Sequence, residues 1–383
     1  MVKLLYIDSF GIGSFHETFN SSSLKMMSEI FNNVEYYSTK SSFEAVSNLL
    51  HDVPQNVNHH NILVLKPKWK IGRFLQLLSS FILNIYFVVF KLKKKNVAFF
   101  NYNSLWALPF INWYCKKSKK KVIIMWHGEL EWLCNNEKLN FISNKALHWI
   151  QRNNVKIAET LYFCVAGKSI IKNLHLVIPQ HIINHFVSFE HTFISQYNGK
   201  MLKRNTSKCL NIGTVGTIRE YKGLDNILYM GKLLDKYNGI NFFALGRIFC
   251  DTKILNKNGI KYIEGADKKF IPKDILNEKI DKMDILIFLY PEDKYKLTAS
   301  GAIFDSIDRE KIILSLHNDY FDDLFSRVFI GYQFDSIELM VEYIKGLSKE
   351  KLPIIDYKNV KNKLSPESEA KEFSRIINNI LYK

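Results

Sequence analysis

The chain has no Cys-x-x-Cys pair, and its five cysteines, Cys115, Cys134, Cys164, Cys209 and Cys250, are scattered and odd in number. That pattern argues against a disulfide framework or a cysteine zinc site and points to a reducing cytosol. No Asp-x-Asp pair is present to hold a divalent ion. His181 and His185 stand four apart, but isoleucines replace the acid of a His-Glu-x-x-His metal motif. The turn Gly11-Ile12-Gly13 lacks the third glycine of a dinucleotide fingerprint, because His16 takes that place. Zinc fingers, RNA-recognition signatures and basic helices with base-reading spacing are also missing, so nucleic acid is not the expected partner. Met1-Val2-Lys3 leads straight into Leu4–Ile7 and then Asp8, an apolar run too short for the core of a signal peptide. Acids are the scarce charge: 37 Asp and Glu against 53 Lys and Arg leave a net +16. An anionic partner or surface follows, with nucleic acid, a sugar nucleotide and acidic lipid as the chemical choices.

A length of 383 residues with 47% hydrophobic and 23% charged residues describes a globular chain divided into two domains. Strand-like runs recur at residues 2–7, Val34–Ser38, Asn61–Leu65, Val97–Tyr102, Val122–Trp126 and Leu161–Val165, with helical patterns between several of them. That alternation predicts an α/β domain with a mainly parallel sheet. The polar stretch 191–208 reads as a linker. A second alternation follows, with strands at 209–215, 240–245, 260–263 and 284–289 and helices at 224–237, 252–258 and 272–282. The expected division is 1–190, a linker at 191–208, 209–365, and a closing helix at 366–383.

The stretch Leu210–Asp225, LNIGTVGTIREYKGLD, concentrates the chemistry. A β-rich run ends in Gly216, a short turn carries Arg219 and Lys222, and Gly223 opens a helical pattern. Unpaired N–H groups at a helix start favour an anion. Arg219 can bridge two phosphate oxygens, and Lys222 adds a point charge. Further on, Thr298-Ala299-Ser300-Gly301 reads as a second helix start, capped by Thr298 or Ser300, with Asp305 one turn along as an acceptor for ribose hydroxyls. In the first half, His127-Gly128-Glu129 leaves the carboxyl end of a predicted strand, where α/β folds bind ligands. Glu129 and Glu131 are candidate acids or bases.

Gly216–Gly223, GTIREYKG, resembles the signature of GT-B glycosyltransferases, especially family-four and family-one-like bacterial enzymes. The resemblance implies two Rossmann-like domains with parallel sheets facing across a cleft. It implies that the cations hold the diphosphate of a nucleotide sugar. Thr217 sits where one form of the signature has its arginine, so Arg219 takes that work. By the same resemblance, a glycine-bearing loop, here with Gly13, faces the donor, and His127 approaches the donor sugar. Asp305 matches the second of two glutamates spaced eight apart, while the first falls on Leu297 and is missing. This departure is similar to a divergent branch among surface-polysaccharide enzymes, which make capsule, O-antigen or exopolysaccharide. The expected reaction moves a sugar from a nucleotide-diphosphate donor to a glycan hydroxyl. It needs no metal and no other cofactor, since the cations replace one. A sugar-nucleotide epimerase of the same architecture and a basic nucleic-acid-binding protein are the alternatives.

The run Ile71–Phe90 is nearly long enough to span a bilayer, but Arg73, Gln76, Ser79, Ser80 and Asn84 interrupt it. A span would also separate the strands on either side of it. The expectation is a helix packed on the sheet whose exposed side meets an anionic membrane surface, with Lys91, Lys93–Lys95, Lys116, Lys117 and Lys119–Lys121 against the headgroups. The protein would then be cytoplasmic and peripheral on the inner face of the cell membrane. With the aromatic run Trp106–Tyr114, that basic face implies a lipid-linked acceptor.

Overall fold

The computed structural model describes residues 2–66, 72–135, 141–197, 209–263, 265, 271–347 and 352–382. Two compact units emerge. The first comprises Met1–Ile194, Leu297–Ala299 and Leu364–Lys383, and the second Ser195–Lys296 and Ser300–Lys363. Of the stretch 191–208 read as a linker, residues 191–194 belong to the first unit, and 198–208 lie outside the described residues.

The first unit is built on seven strands: β1 (Leu4–Asp8), β2 (Val34–Ser38), β3 (Val57–Asn61), β4 (Val97–Tyr102), β5 (Lys121–Met125), β6 (Leu161–Ala166) and β7 (Phe186–Phe189). All pairings are parallel, in the order β3-β2-β1-β4-β5-β6-β7. β1, β4 and β5 are apolar and almost wholly buried, as strands covered on both faces must be. One core cluster under the sheet includes Trp126, Phe163 and Phe100, and another includes Tyr6, Phe99 and Phe189. The last helix, Pro366–Tyr382, buries Ala370, Phe373, Ile377 and Ile380 in that second cluster. The strand expected at Asn61–Leu65 lies earlier, at Val57–Asn61, in register with β2 from Val34↔Val57 to Ser38↔Asn61. As an edge strand it can be polar, so its sequence VNHHN shows no apolar signal. The apolar residues that follow leave the sheet and expose Leu63.

The second unit carries six parallel strands: β8 (Leu210–Val215), β9 (Ile240–Leu245), β10 (Ile260–Tyr262), β11 (Ile285–Phe288), β12 (Ile312–Leu316) and β13 (Gly331–Phe334). Their order is β10-β9-β8-β11-β12-β13. β7 and β13 escape sequence reading because each is a four-residue edge strand. In both sheets the order reverses beside one strand, at β1/β4 and at β8/β11. Open α/β sheets leave their binding crevice at the carboxyl ends of such strands. The loops after β1 and β8 are the two glycine turns singled out from sequence.

Candidate active site

In the second unit, β8 is buried along its whole length and ends where Gly216 turns the chain. Thr217, partly buried, leads into a short parallel bridge, Ile218↔Ile248, with the loop after β9. Ile218 N–H donates to Arg247 O at 2.9 Å, and Phe249 N–H donates to Ile218 O at 3.0 Å. The bridge places two guanidinium groups on one ring: Arg219 Cζ lies 4.9 Å and Arg247 Cζ 4.6 Å from the Phe249 centroid. Arg219 also stacks on Tyr221 at 4.6 Å. Aromatic faces hold a guanidinium by cation–π attraction without neutralising it. Arg247 was not foreseen. Its signal was present in Gly246-Arg247, a glycine and a cation directly after a strand, the same layout as Gly216 and Arg219.

A 3-10 turn, Glu220–Lys222, separates Arg219 from the helix Leu224–Leu234. Gly223 (φ 83°) caps that helix in the left-handed region, and a Cβ there would stand 2.2 Å from Leu289 O. The turn is therefore pressed onto the end of β11. Lys222 Nζ consequently lies 5.7 Å and 5.3 Å from the ring centroids of Tyr290 and Tyr295. Tyr295 is itself buried with φ 62°, a backbone state that costs about 1–3 kcal/mol in a non-glycine residue and is typical of functional sites. Among the described residues Lys222 has no carboxylate within ion-pair distance. Burial works against its ammonium, but the oxygens of Tyr290, Tyr295 and Tyr221 outweigh it and hold Lys222 above the ordinary lysine range. Burial pushes the Tyr295 phenol up to about 12. The tyrosine cage has no sequence signal, since it depends on Gly223 meeting Leu289.

The segment 298–305 departs from its sequence reading. The helix begins at Ala302 with Gly301 as its N-cap, and neither Thr298 nor Ser300 caps it. Thr298 belongs to the first unit, where its Oγ1 lies beside Gly128, and Leu297 is buried in that unit's core. Ser300 is fully buried, and its hydroxyl is 3.2 Å from Tyr290 Oη. The hydroxyl turns to that phenol, and no side chain caps the helix that follows. Asp305 does stand in the first turn of the helix, 3.2 Å from Lys273 Nζ. Burial raises its carboxyl above the usual range, and Lys273 opposes the rise.

In the first unit, Asp8 closes β1. Its carboxylate accepts from Phe10 N–H (3.2 Å), Gly11 N–H (2.8 Å), Asn20 Nδ2 (3.1 Å) and Ser42 Oγ (3.2 Å), while burial raises its pKa. Gly13 N–H donates to Ser41 Oγ at 3.1 Å. His127, just past β5, packs with Phe19 and His16, each at 4.8 Å between centroids. Its Nε2 is 2.7 Å from Asn101 O. A carbonyl only accepts, so the geometry assigns the proton of the neutral ring to Nε2 and a lone pair to Nδ1. Glu129 Oε2 accepts from His127 N–H at 2.8 Å, and the buried Glu131 accepts from Leu297 N–H at 2.7 Å. Both acids are thus tied to backbone.

His191 joins this group against Phe19, at 5.3 Å. Burial lowers its ring to about 4, with the nearby His127 adding to the effect and a bond at Thr192 opposing it. The folded value lies below the unfolded value near 6.5, so the stability gained from the neutral ring is complete above pH ~6.5 and is lost as pH falls toward 4, by at most about 3 kcal/mol. Urea midpoints at pH 7.5 and 4.5 should differ less for His191→Asn than for wild type, and equal differences would rule this assignment out.

Among the described residues no group of His, Cys, Asp and Glu could hold a metal ion. No family model matches the sequence, and no curated protein matches it. Solved structures match its fold over the whole chain. One is HepE from Anabaena in complex with UDP and glucose (TM-score 0.54, 10% identity, covering 100% of this chain and 98% of that one). A second is WaaG, a glycosyltransferase involved in lipopolysaccharide biosynthesis (0.56, 11%, 98% and 99%). A third is a glycosyltransferase from Rickettsia africae (0.58, 10%, 99% and 98%). The chain therefore has the GT-B fold of these proteins: α/β, with two Rossmann-like units on parallel sheets.

Proposed function

We propose that this chain is a glycosyltransferase that moves a sugar from a nucleotide-diphosphate donor to a hydroxyl of a lipid-linked glycan in bacterial surface-polysaccharide synthesis. The observation that carries the reading is Lys222, a charged ammonium caged by aromatic rings without a carboxylate among the described residues, beside Arg219 and Arg247 at the end of the switch-point strand. A cation so placed calls for an anion from outside the chain. Support comes from the UDP and glucose bound to HepE and from the role of WaaG in lipopolysaccharide biosynthesis.

Lys222 and Arg219 neutralise the charge that grows on the leaving diphosphate as the glycosidic bond breaks, which is the largest electrostatic contribution to such a reaction. Backbone N–H groups of Thr217 and Gly301 and at the start of helix Leu224–Leu234 add partial positive charge, whereas those of Gly216 and Gly13 are already donated to Leu245 O and Ser41 Oγ. Asp305 accepts from the ribose hydroxyls. His127 Nδ1 accepts a hydrogen bond from a sugar hydroxyl, while Glu129 holds the His127 backbone in place. No divalent ion is required for these steps.

Incubation with a panel of nucleotide sugars tests the reading. Slow release of nucleoside diphosphate from one donor is expected. An epimerised donor returned intact would make the protein an epimerase, and neither binding nor turnover of any donor would end the proposal. Asp305→Ala should weaken binding of the free nucleoside diphosphate about tenfold to a hundredfold, since a charged acceptor contributes roughly 1.5–3 kcal/mol. Calorimetry measures this, and an unchanged dissociation constant would reduce Asp305 to the partner of Lys273.

A further inference from the structure

The helix Gly72–Tyr86, continued by a π turn over Phe87–Lys91, is built inside out. A helix on a soluble protein turns its apolar stripe inward and its polar stripe to water. Here Gly72, Gln76, Ser80 and Asn84 form the buried stripe, at four-residue spacing. Gln76 Nε2 donates to Phe10 O (2.9 Å), the Ser80 and Ser9 hydroxyls meet at 2.9 Å, and Asn84 donates to Ser9 Oγ (2.9 Å) while accepting from Ser104 N–H (2.8 Å). The opposite stripe, two residues or about 200° away, is Phe74, Leu78, Ile82, Tyr86 and Phe90. Phe74, Ile82 and Phe90 are 50%, 56% and 74% exposed. The polar residues that interrupt the run in sequence are the ones the fold uses.

The helix Leu108–Ser118, whose Tyr114 hydroxyl donates to Val89 O, also exposes Trp113, at 54%. Lys120 ties the two together. Its Nζ donates to Val88 O (2.9 Å) and Val89 O (2.8 Å), carbonyls of the π turn, and sits over the Tyr114 ring. Around the apolar face stand exposed Lys91, Lys93, Lys94, Lys95, Lys116 and Lys117. Between Asp52 and Glu129 the sequence has thirteen Lys and Arg and not one acid. Most of the net charge of +16 therefore comes from this one stretch.

We infer that this face docks onto the anionic surface of a lipid bilayer, with the helix lying in the interface. Its apolar stripe enters the acyl boundary, its polar stripe stays bonded to the first unit, and its lysines meet the headgroups. A length of 20 residues gives about 30 Å of contact. Spanning is excluded by the inward hydrogen bonds and by β3 and β4, which precede and follow the helix in one sheet. The chain would then lie on the inner leaflet of the cell membrane. If the sugar-transfer reading holds, such docking brings it to a lipid-linked acceptor in the same bilayer.

The test is co-sedimentation of the full chain with vesicles of phosphatidylcholine alone or mixed with phosphatidylglycerol. Binding to the mixed vesicles is expected, and alkaline carbonate should release it. Changing Lys93, Lys94 and Lys95 together to Glu should lower the partition coefficient about a hundredfold or more. Phe74→Ser, Ile82→Ser and Phe90→Ser together should lower it at least about tenfold, with an unchanged melting transition. Without any core change, brominated lipid should quench tryptophan emission in wild type, and Trp113→Phe should reduce that quenching. Wild-type partition of the apolar triple variant, retention through carbonate, or binding to neither vesicle would overturn the inference; the last would assign the face to a protein partner. The measurement uses neither donor nor acceptor, so its failure and that of the transfer reading are separable.

Discussion

Lys222→Ala should lower kcat by about a hundredfold or more. A preorganised charge removed from a site where negative charge develops costs ~3 kcal/mol of transition-state stabilisation. The environment of Lys222 makes the loss large. Tyr290 and Tyr295 hold the ammonium by their ring faces, and no carboxylate among the described residues shares its charge, so the leaving diphosphate receives it undiluted. Stability should fall modestly, because the cage that holds the Lys222 pKa above the ordinary lysine range also favours its ammonium in the folded state. Lys222→Arg should not rescue, since a cage that fits a compact ammonium does not fit a planar fork. Steady-state kinetics on the donor identified by hydrolysis will decide. Wild-type kcat in the alanine variant would remove Lys222 from the reaction.

Gly246→Ala should have a comparable effect by a different route. Gly246 (φ 158°) lets the loop after β9 touch the loop after β8 backbone to backbone. A Cβ there would lie 1.8 Å from Gly216 O and 2.6 Å from Gly216 C. Neither atom is the end of a flexible side chain, so the two loops must separate. Backbone strain and overpacking together cost roughly 2–6 kcal/mol. Separation also breaks the Ile218↔Ile248 bridge that sets Arg219 and Arg247 on Phe249. A lowered unfolding midpoint for the second unit and loss of nucleoside-diphosphate binding are both expected. Gly239→Ala is the control: its φ is 93°, but nothing lies within 4 Å of the added Cβ, so only a smaller loss of stability should follow, with binding intact. If Gly246→Ala binds as wild type does, the arginine pair does not depend on this contact.

The doubly wound architecture was legible because parallel strands buried on both faces are apolar along their length, as in Leu210–Val215 and Val97–Tyr102. Edge strands were not, because Val57–Asn61 and Gly331–Phe334 need bury only part of their surface. The layout of the turn Gly216–Gly223 was legible locally, as a strand end, a glycine, two cations and a helix start within a few residues. The segment 298–305 misled for the opposite reason. Hydroxyls before a helix suggest caps, but Ser300 is engaged by Tyr290 and the helix starts later, at Ala302.

Sequence alone determined what short-range chemistry can write: the strand and helix periods, the cationic glycine turn and the surplus of lysine. Only the tertiary structure decided which distant groups meet. Arg247 reaches Arg219 because β9 pairs with β8, and Tyr290 reaches Lys222 because Gly223 lies against the end of β11. The direction of the helix Gly72–Tyr86 was decided in the same way. Its polar stripe turns inward because its hydrogen-bond partners, Ser9, Phe10 and Ser104, lie 20 to 75 residues away along the chain, where no local periodicity could reveal them.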